Sequence, residues 1–334
     1  MYFNFFNFRS GKIIIFYYII YYYYLLMNAI CLITYIPNKI WCDFLKTFDA
    51  TAYDVFVVVD NNDFDLSCFI AEHGYVNNDN DTNITFVQLD NKTCSMRGYI
   101  NTNFTLNKTI SGWDKALCYF GTEKNNNYDR VWFIEDDVFF YNMHTLKNID
   151  SRYSDDDLLS KCYDKNTDGE KKTWHWKTID IQQYSPPYYN GMMCAVRISK
   201  KLIKCINDYA SRHKTLFFLE ALFPTIAIKN NLKYSTPDEF ANIHYRQEVE
   251  KKHINETNLY HPVKNVERHT ALRNEMDILH KKIDLNLHSS LISNSTIQLF
   301  NDSTIQRFSS NDNINININN NINHRNHTKS VCRS

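Results

Sequence analysis

Five short, nearly unbroken apolar runs constrain this chain most: residues 28–36, Tyr53-Asp-Val-Phe-Val-Val-Val-Asp60, Ile84-Thr-Phe-Val-Gln-Leu89, Val131-Trp-Phe-Ile134 and Met192-Met-Cys-Ala-Val-Arg197. Such runs fit strands covered on both faces, because a half-exposed strand would alternate apolar with polar residues. Between them lie segments of helical spacing. Residues 38–48 place Ile40, Trp41, Phe44, Leu45 and Phe48 on one face, and Ser111-Gly-Trp-Asp-Lys-Ala-Leu-Cys-Tyr-Phe120 reads as another helix. The expected class is α/β: a Rossmann-like, mostly parallel central sheet in a single domain with helices on both faces. Ligands of such sheets collect beyond the carboxyl ends of the strands.

Three segments are expected. Residues 281–334 form an Asn-rich tail culminating in Asn313-Ile-Asn-Ile-Asn-Ile-Asn, with too little bulk to offset chain entropy, so disorder is expected. Residues 28–280 form the folded unit. Residues 1–27 are a hydrophobic leader or membrane anchor: the uncharged stretch 13–36, preceded by Arg9 and Lys12, meets the length of a span. Its second half also reads as the first strand, which would leave too few residues to cross a bilayer. Localisation therefore stays between a single N-terminal anchor in the secretory pathway and the cytoplasm. Lys+Arg and Asp+Glu both number 37, giving zero net charge, which disfavours nucleic acid as a partner. Seven glycines exclude a glycine-rich phosphate loop, and nine scattered cysteines lack the spacing of structural zinc. Sequons at Asn83, Asn103 and Asn255 permit glycosylation without fixing the compartment.

The strand ends carry the chemistry. The fourth run leads into Glu135-Asp136-Asp137, three adjacent carboxylates whose mutual repulsion a hard divalent cation would offset. Glu220 lies in the apolar Leu216-Phe-Phe-Leu-Glu-Ala-Leu-Phe-Pro-Thr225, where burial would raise its pKa into the range of a general base. The structural alternative pairs Glu220 with Arg197 or His213, in which case Asp238 or Glu239 becomes the next candidate. Trp174, Trp176 and Tyr188 lie in an aromatic segment also rich in amides, a plausible wall for an acceptor sugar or else simple core packing.

The order of these elements resembles the GT-A class of nucleotide-sugar-dependent glycosyltransferases over about residues 28–275. The first strand, the strand ending at Asp60, the DxD-type Glu135-Asp136-Asp137, the later Glu220 and the His261-Pro-Val-Lys264 box carry the resemblance. It implies transfer of a sugar from a nucleotide-diphosphate donor, UDP-linked by expectation, to a hydroxyl of a glycan or glycoprotein. A divalent metal is implied, manganese in preference to magnesium. Asp137 is the first choice of ligand, with His261 as an imidazole ligand. Glu135 or Asp136 would hold metal, metal-bound water or ribose, and Lys264 the diphosphate. Asp60, Trp113 and Lys115 match positions where the family meets the nucleotide; a core tryptophan with a helix cap is the alternative for Trp113. Inversion is expected on the strength of Glu220. Two rivals are a haloacid-dehalogenase-type phosphatase using Asp60 and the acidic pair, which lacks a second Asp at Asn62, and a non-catalytic glycan-binding scaffold.

Overall fold

The computed structural model describes residues 28–75, 84–103, 110–122, 127–170, 174–179, 181, 184–247, 249–250 and 253–283. The expected leader 1–27 and most of the expected tail lie outside these residues. Backbone contacts divide the chain into Met1–Met276 and Asp277–Ser334; all that follows concerns the first unit. Among the described residues no helix is long and apolar enough to cross a membrane. Of the stretch 13–36, the described part is a strand, β1 (Asn28–Thr34), buried from Ala29 onward.

The class expected from the apolar runs is the one observed. A seven-stranded sheet has the order β3-β2-β1-β4-β6-β5-β7. Strands β2 (Asp54–Val59), β3 (Ile84–Val87) and β4 (Arg130–Glu135) run parallel to β1. Strand β6 (Tyr188–Ser199) is antiparallel to β4 on one side and to β5 (Leu158–Asn166) on the other, and β7 (Tyr234–Ser235) runs parallel to β5. Strand β5 escapes the apolar pattern because Ser160, Lys161, Asp164 and Lys165 interrupt it; two register shifts against β6 accommodate it.

Alternation along each strand feeds two cores. Ala29, Cys31 and Ile33 of β1 and Val131 and Phe133 of β4 face helices α3 (Asn91–Met96), α4 (Gly112–Gly121), α6 (Lys200–His213) and α7 (Leu219–Lys229). Ile30, Leu32, Trp132 and Ile134 face α1 (Lys39–Lys46), α2 (Leu66–Glu72) and α5 (Met143–Arg152). Both faces are thus covered, the reason the strands read as continuous apolar runs. Helix α4 starts with a capping box, the Ser111 side chain and Asp114 satisfying each other's backbone N–H groups. Its first residue is glycine because α4 lies close on the strand ends: a Cβ there would sit 2.7 Å from Ile33 Cγ2.

A two-stranded sheet, β8 (Asn242–Ile243) with β9 (Tyr260–His261), completes the unit. It joins the end of β4 through a bridge in which Phe139 and Tyr260 exchange N–H···O bonds of 2.8 and 2.9 Å. Helix α8 begins at residue 266. Its Arg273 donates to the carbonyls of Phe140 (3.2 Å) and Tyr141 (3.3 Å), and its His269 faces the carbonyl of Val263 (2.7 Å). This segment therefore holds both sides of the β4–β9 junction.

Candidate functional site

Strand β1 leads to β2 on one side and has β4 on the other, so the crevice of the sheet opens at the carboxyl ends of β1 and β4. Ile33 lies opposite Glu135 in that register. Strand β4 ends at Glu135, and a turn closed by the Val138 N–H on the Glu135 carbonyl (3.1 Å) carries Asp136 and Asp137. Glu135 follows Val131 and Phe133 toward α4 and α7, where its Oε1 accepts from Trp113 Nε1 at 2.7 Å. Asp136 turns to the opposite face: its Oδ2 accepts from the Thr34 hydroxyl at 2.5 Å and its carbonyl from Trp41 Nε1 at 2.8 Å. Asp137 returns to the side of Glu135, its carbonyl fixed by the Val263 N–H at 2.7 Å.

That bond, with the Phe139–Tyr260 bridge, carries His261 to Asp137. His261 Nδ1 lies 2.6 Å from the carbonyl of His244. A carbonyl only accepts, so Nδ1 carries the hydrogen, and the neutral ring presents a bare Nε2 lone pair. That Nε2 lies 3.3 Å from Asp137 Oδ1, a buried oxygen without another hydrogen-bond donor among the described residues. Two acceptors thus face each other, a conflict that a proton or a cation resolves. Ligand atoms of Glu135, Asp137 and His261 all lie within 4.8 Å of one another. Neighbouring ligands on a six-coordinate ion with bonds of about 2.1 Å are separated by about 3 Å, so small side-chain movements would bring these three residues around one divalent cation.

The raised carboxyls agree with that fit, while the imidazole favours a proton in the same place when no cation is bound. Burial raises the pKa of Glu135, the Asp137 charge adds to the rise and the Trp113 indole opposes it. Burial and the Asp137 charge also raise Asp136, against the Thr34 hydrogen bond. For His261 burial acts downward, but the Asp137 carboxylate outweighs it and the net shift is upward.

A cleft of about 260 Å³ gathers Trp113, Glu135, Asp137, Glu220, His261 and Lys264. Glu220 lies in the first turn of α7. Its carboxyl is pushed up to about 7, chiefly by burial and further by the Glu135 charge, with His261 opposing. Pairing of Glu220 with Arg197 is ruled out by geometry. Arg197 spends its guanidinium on Asp150 (2.9 Å) and on the carbonyls of Tyr153 (2.5 Å) and Asp156 (3.1 Å). His213 instead packs on Tyr209, 4.4 Å between ring centroids. The reserve candidates Asp238 and Glu239 line a different pocket, where Glu239 pairs with Arg152. Lys264 is exposed on the cleft rim.

Other expected residues fall elsewhere. Lys115 is fully buried; its ammonium donates to the Asp60 carbonyl and to Asn62 Oδ1 and lies 3.2 Å from Asp60 Oδ1. Neither Lys115 nor Asp60 lines the cleft. The phosphatase alternative needs Asp60 beside the acidic pair, and the cleft that takes in Glu135 and Asp137 does not include Asp60. Trp113 is a core residue between Phe133 and Phe223 that also orients Glu135. Trp176 and Tyr188 are buried against each other, with ring centroids 6.0 Å apart, and cannot form an open wall. Trp174 does not line the cleft; it packs on Phe218, which does, at 5.6 Å. Met192, Met193 and Cys194 of β6 also line the cleft, as do Asn103 and Tyr245. Their apolar run marks β6 as a strand, but nothing in it announces antiparallel pairing with β4.

No protein-family model matches the chain, and no curated protein matches its sequence. Among solved structures, it is similar to 4-diphosphocytidyl-2C-methyl-D-erythritol synthase from Anaerococcus prevotii, with 12% identity and a TM-score of 0.38 over 64% of this chain and 86% of that one. It is also similar to the apo form of mouse xyloside xylosyltransferase 1, with 9% identity and a TM-score of 0.36 over 72% of this chain and 98% of that one. Likeness at this level assigns no activity.

Proposed function

We propose that this chain is a divalent-metal-dependent glycosyltransferase of the GT-A type. In this reading it moves a sugar from a nucleoside diphosphate donor, UDP-linked, to a hydroxyl of a glycan or glycoprotein with inversion. The observation that carries the reading is the convergence of Glu135, Asp137 and His261 at the sheet crevice, with Glu220 in the same cleft.

Glu135, Asp137 and His261 would hold the cation, and an imidazole nitrogen in the donor set favours manganese over magnesium. Bound there, it supplies Lewis-acid charge toward the departing diphosphate. Lys264 on the rim adds a point charge of the same sign. Glu220, poised near 7, is substantially ionised at neutral pH yet basic enough to take a proton. It removes the hydrogen of the acceptor hydroxyl as that oxygen bonds to the anomeric carbon, on the face opposite the breaking bond to the diphosphate. Trp113 holds Glu135 in place, and the His244 carbonyl holds the His261 ring.

The test is calorimetry on the full chain with UDP, GDP and CDP, with and without manganese, repeated with Asp137→Ala. Manganese-dependent binding of one nucleotide, lost in the variant, is the expected result. A folded chain that binds none of them overturns the proposal.

A further inference from the structure

We infer that Tyr245 is the platform on which the sugar ring of the acceptor stacks. The inference rests on the transferase reading and adds to it a residue that recognises the acceptor. Tyr245 is 63% exposed, yet it lines the same cleft as Asp137, Glu220 and His261. Its position is fixed by the metal-site hydrogen bonds. It follows β8, which pairs Ile243 with His261. The intervening His244 donates its N–H to the His261 carbonyl at 3.0 Å and accepts from His261 Nδ1 at 2.6 Å. The backbone of Tyr245 thus follows directly on a double tie to the candidate metal ligand.

The ring is also prepared on one side. The Arg246 guanidinium lies 4.8 Å from its centroid, and Nη2 donates to the Tyr245 hydroxyl at 3.3 Å. Arg246 thus occupies one face of the ring. The other aromatic residues of the cleft are already used: Trp113 is buried in the core, and Phe218 packs on Trp174 and His175. Size points the same way. At about 260 Å³ the cleft falls below the roughly 300–1,000 Å³ typical of small-molecule sites. A cleft of this size leaves much of a nucleotide sugar and an acceptor outside it, which puts the acceptor across the rim in this inference. An exposed aromatic face there suits the apolar C–H face of a pyranose, leaving one hydroxyl to reach Glu220.

The experiment is saturation-transfer-difference NMR on the full chain with methyl β-D-glucopyranoside, methyl β-D-galactopyranoside and methyl β-D-xylopyranoside. Tyr245→Ala and Tyr245→Trp are compared with the parent, and manganese and UDP affinities are measured in parallel. At least one glycoside binds the parent. Its affinity falls about tenfold in Tyr245→Ala, equivalent to about 1.4 kcal/mol. Tyr245→Trp retains binding, and manganese affinity is the same in all three, so the fold and metal centre are intact. Equal glycoside binding by Tyr245→Ala, or no binding of any glycoside by the parent, overturns the inference. So does a tenfold loss of UDP affinity in Tyr245→Ala, because the ring would then stack a nucleobase. Failure of the parent to bind manganese and UDP, with Tyr245-dependent glycoside binding intact, would instead count against the transferase reading.

Discussion

Replacing Glu220 with glutamine should make the metal-free protein more stable, and increasingly so as pH rises. The Glu220 carboxyl moves from its ordinary 4.5 to about 7 in the folded chain, chiefly because burial disfavours the charge. A group whose folded pKa is raised binds its proton more tightly in the native state. Its stabilising contribution is complete below about 4.5 and is lost as pH climbs through about 7. Each tenfold change in proton affinity is worth about 1.4 kcal/mol, which sets an upper limit of about 3 kcal/mol. Solvent reaching the cleft reduces this to about 1–2 kcal/mol. Urea unfolding of the parent and Glu220→Gln in chelator, between about pH 5 and pH 8.5, measures the difference directly. The stability gap should widen through the interval and level off above about pH 8. Manganese should narrow it, because a bound cation offsets the Glu135 charge that contributes to the shift. Transfer activity should meanwhile fall by about 10²-fold or more, the usual contribution of a positioned base. A gap that is constant with pH would refute the claim that Glu220 is buried with a displaced proton affinity.

Two further outcomes separate placement from chemistry. Trp113→Phe keeps the packing on Phe133 and Phe223 but removes the indole donor to Glu135, so manganese should bind about tenfold more weakly by calorimetry; unchanged affinity would mean that the indole does not orient Glu135. Lys115→Met leaves Asp60 and Asn62 without their cation and, because Asp60 is partly open to solvent, should destabilise the chain by about 1 kcal/mol in urea, with UDP and manganese affinities unchanged. A loss of UDP affinity with stability intact would restore Lys115 to the nucleotide site.

Much of the site was legible because it depends on short-range rules. The run into Glu135-Asp136-Asp137 marks a buried strand with charge at its exit, whereas the turn after Glu135 that sends Asp136 to one side and Asp137 to the other leaves no periodic pattern. Glu220 stood out as an isolated charge in an apolar segment, and its raised pKa follows from that same setting. The aromatic segment 174–188 misled because composition alone does not distinguish a ring stacked in the core, as Trp176 is, from one open to a ligand.

The α/β class, the buried strands and the residue types at their ends follow from the order of amino acids, because burial on both faces and helical spacing are written in local patterns. Which of those residues meet is a matter of how the folded chain closes on itself. His261 reaches Asp137 through two-residue strands and one bridge between Phe139 and Tyr260, contacts too short to leave a periodic signature. Lys115 is consumed by Asp60 because α4 packs against the end of β2, and Tyr245 borders the cleft because His244 is tied to His261. Pairing between distant segments depends on the closing of the chain, and local patterns carry no record of it.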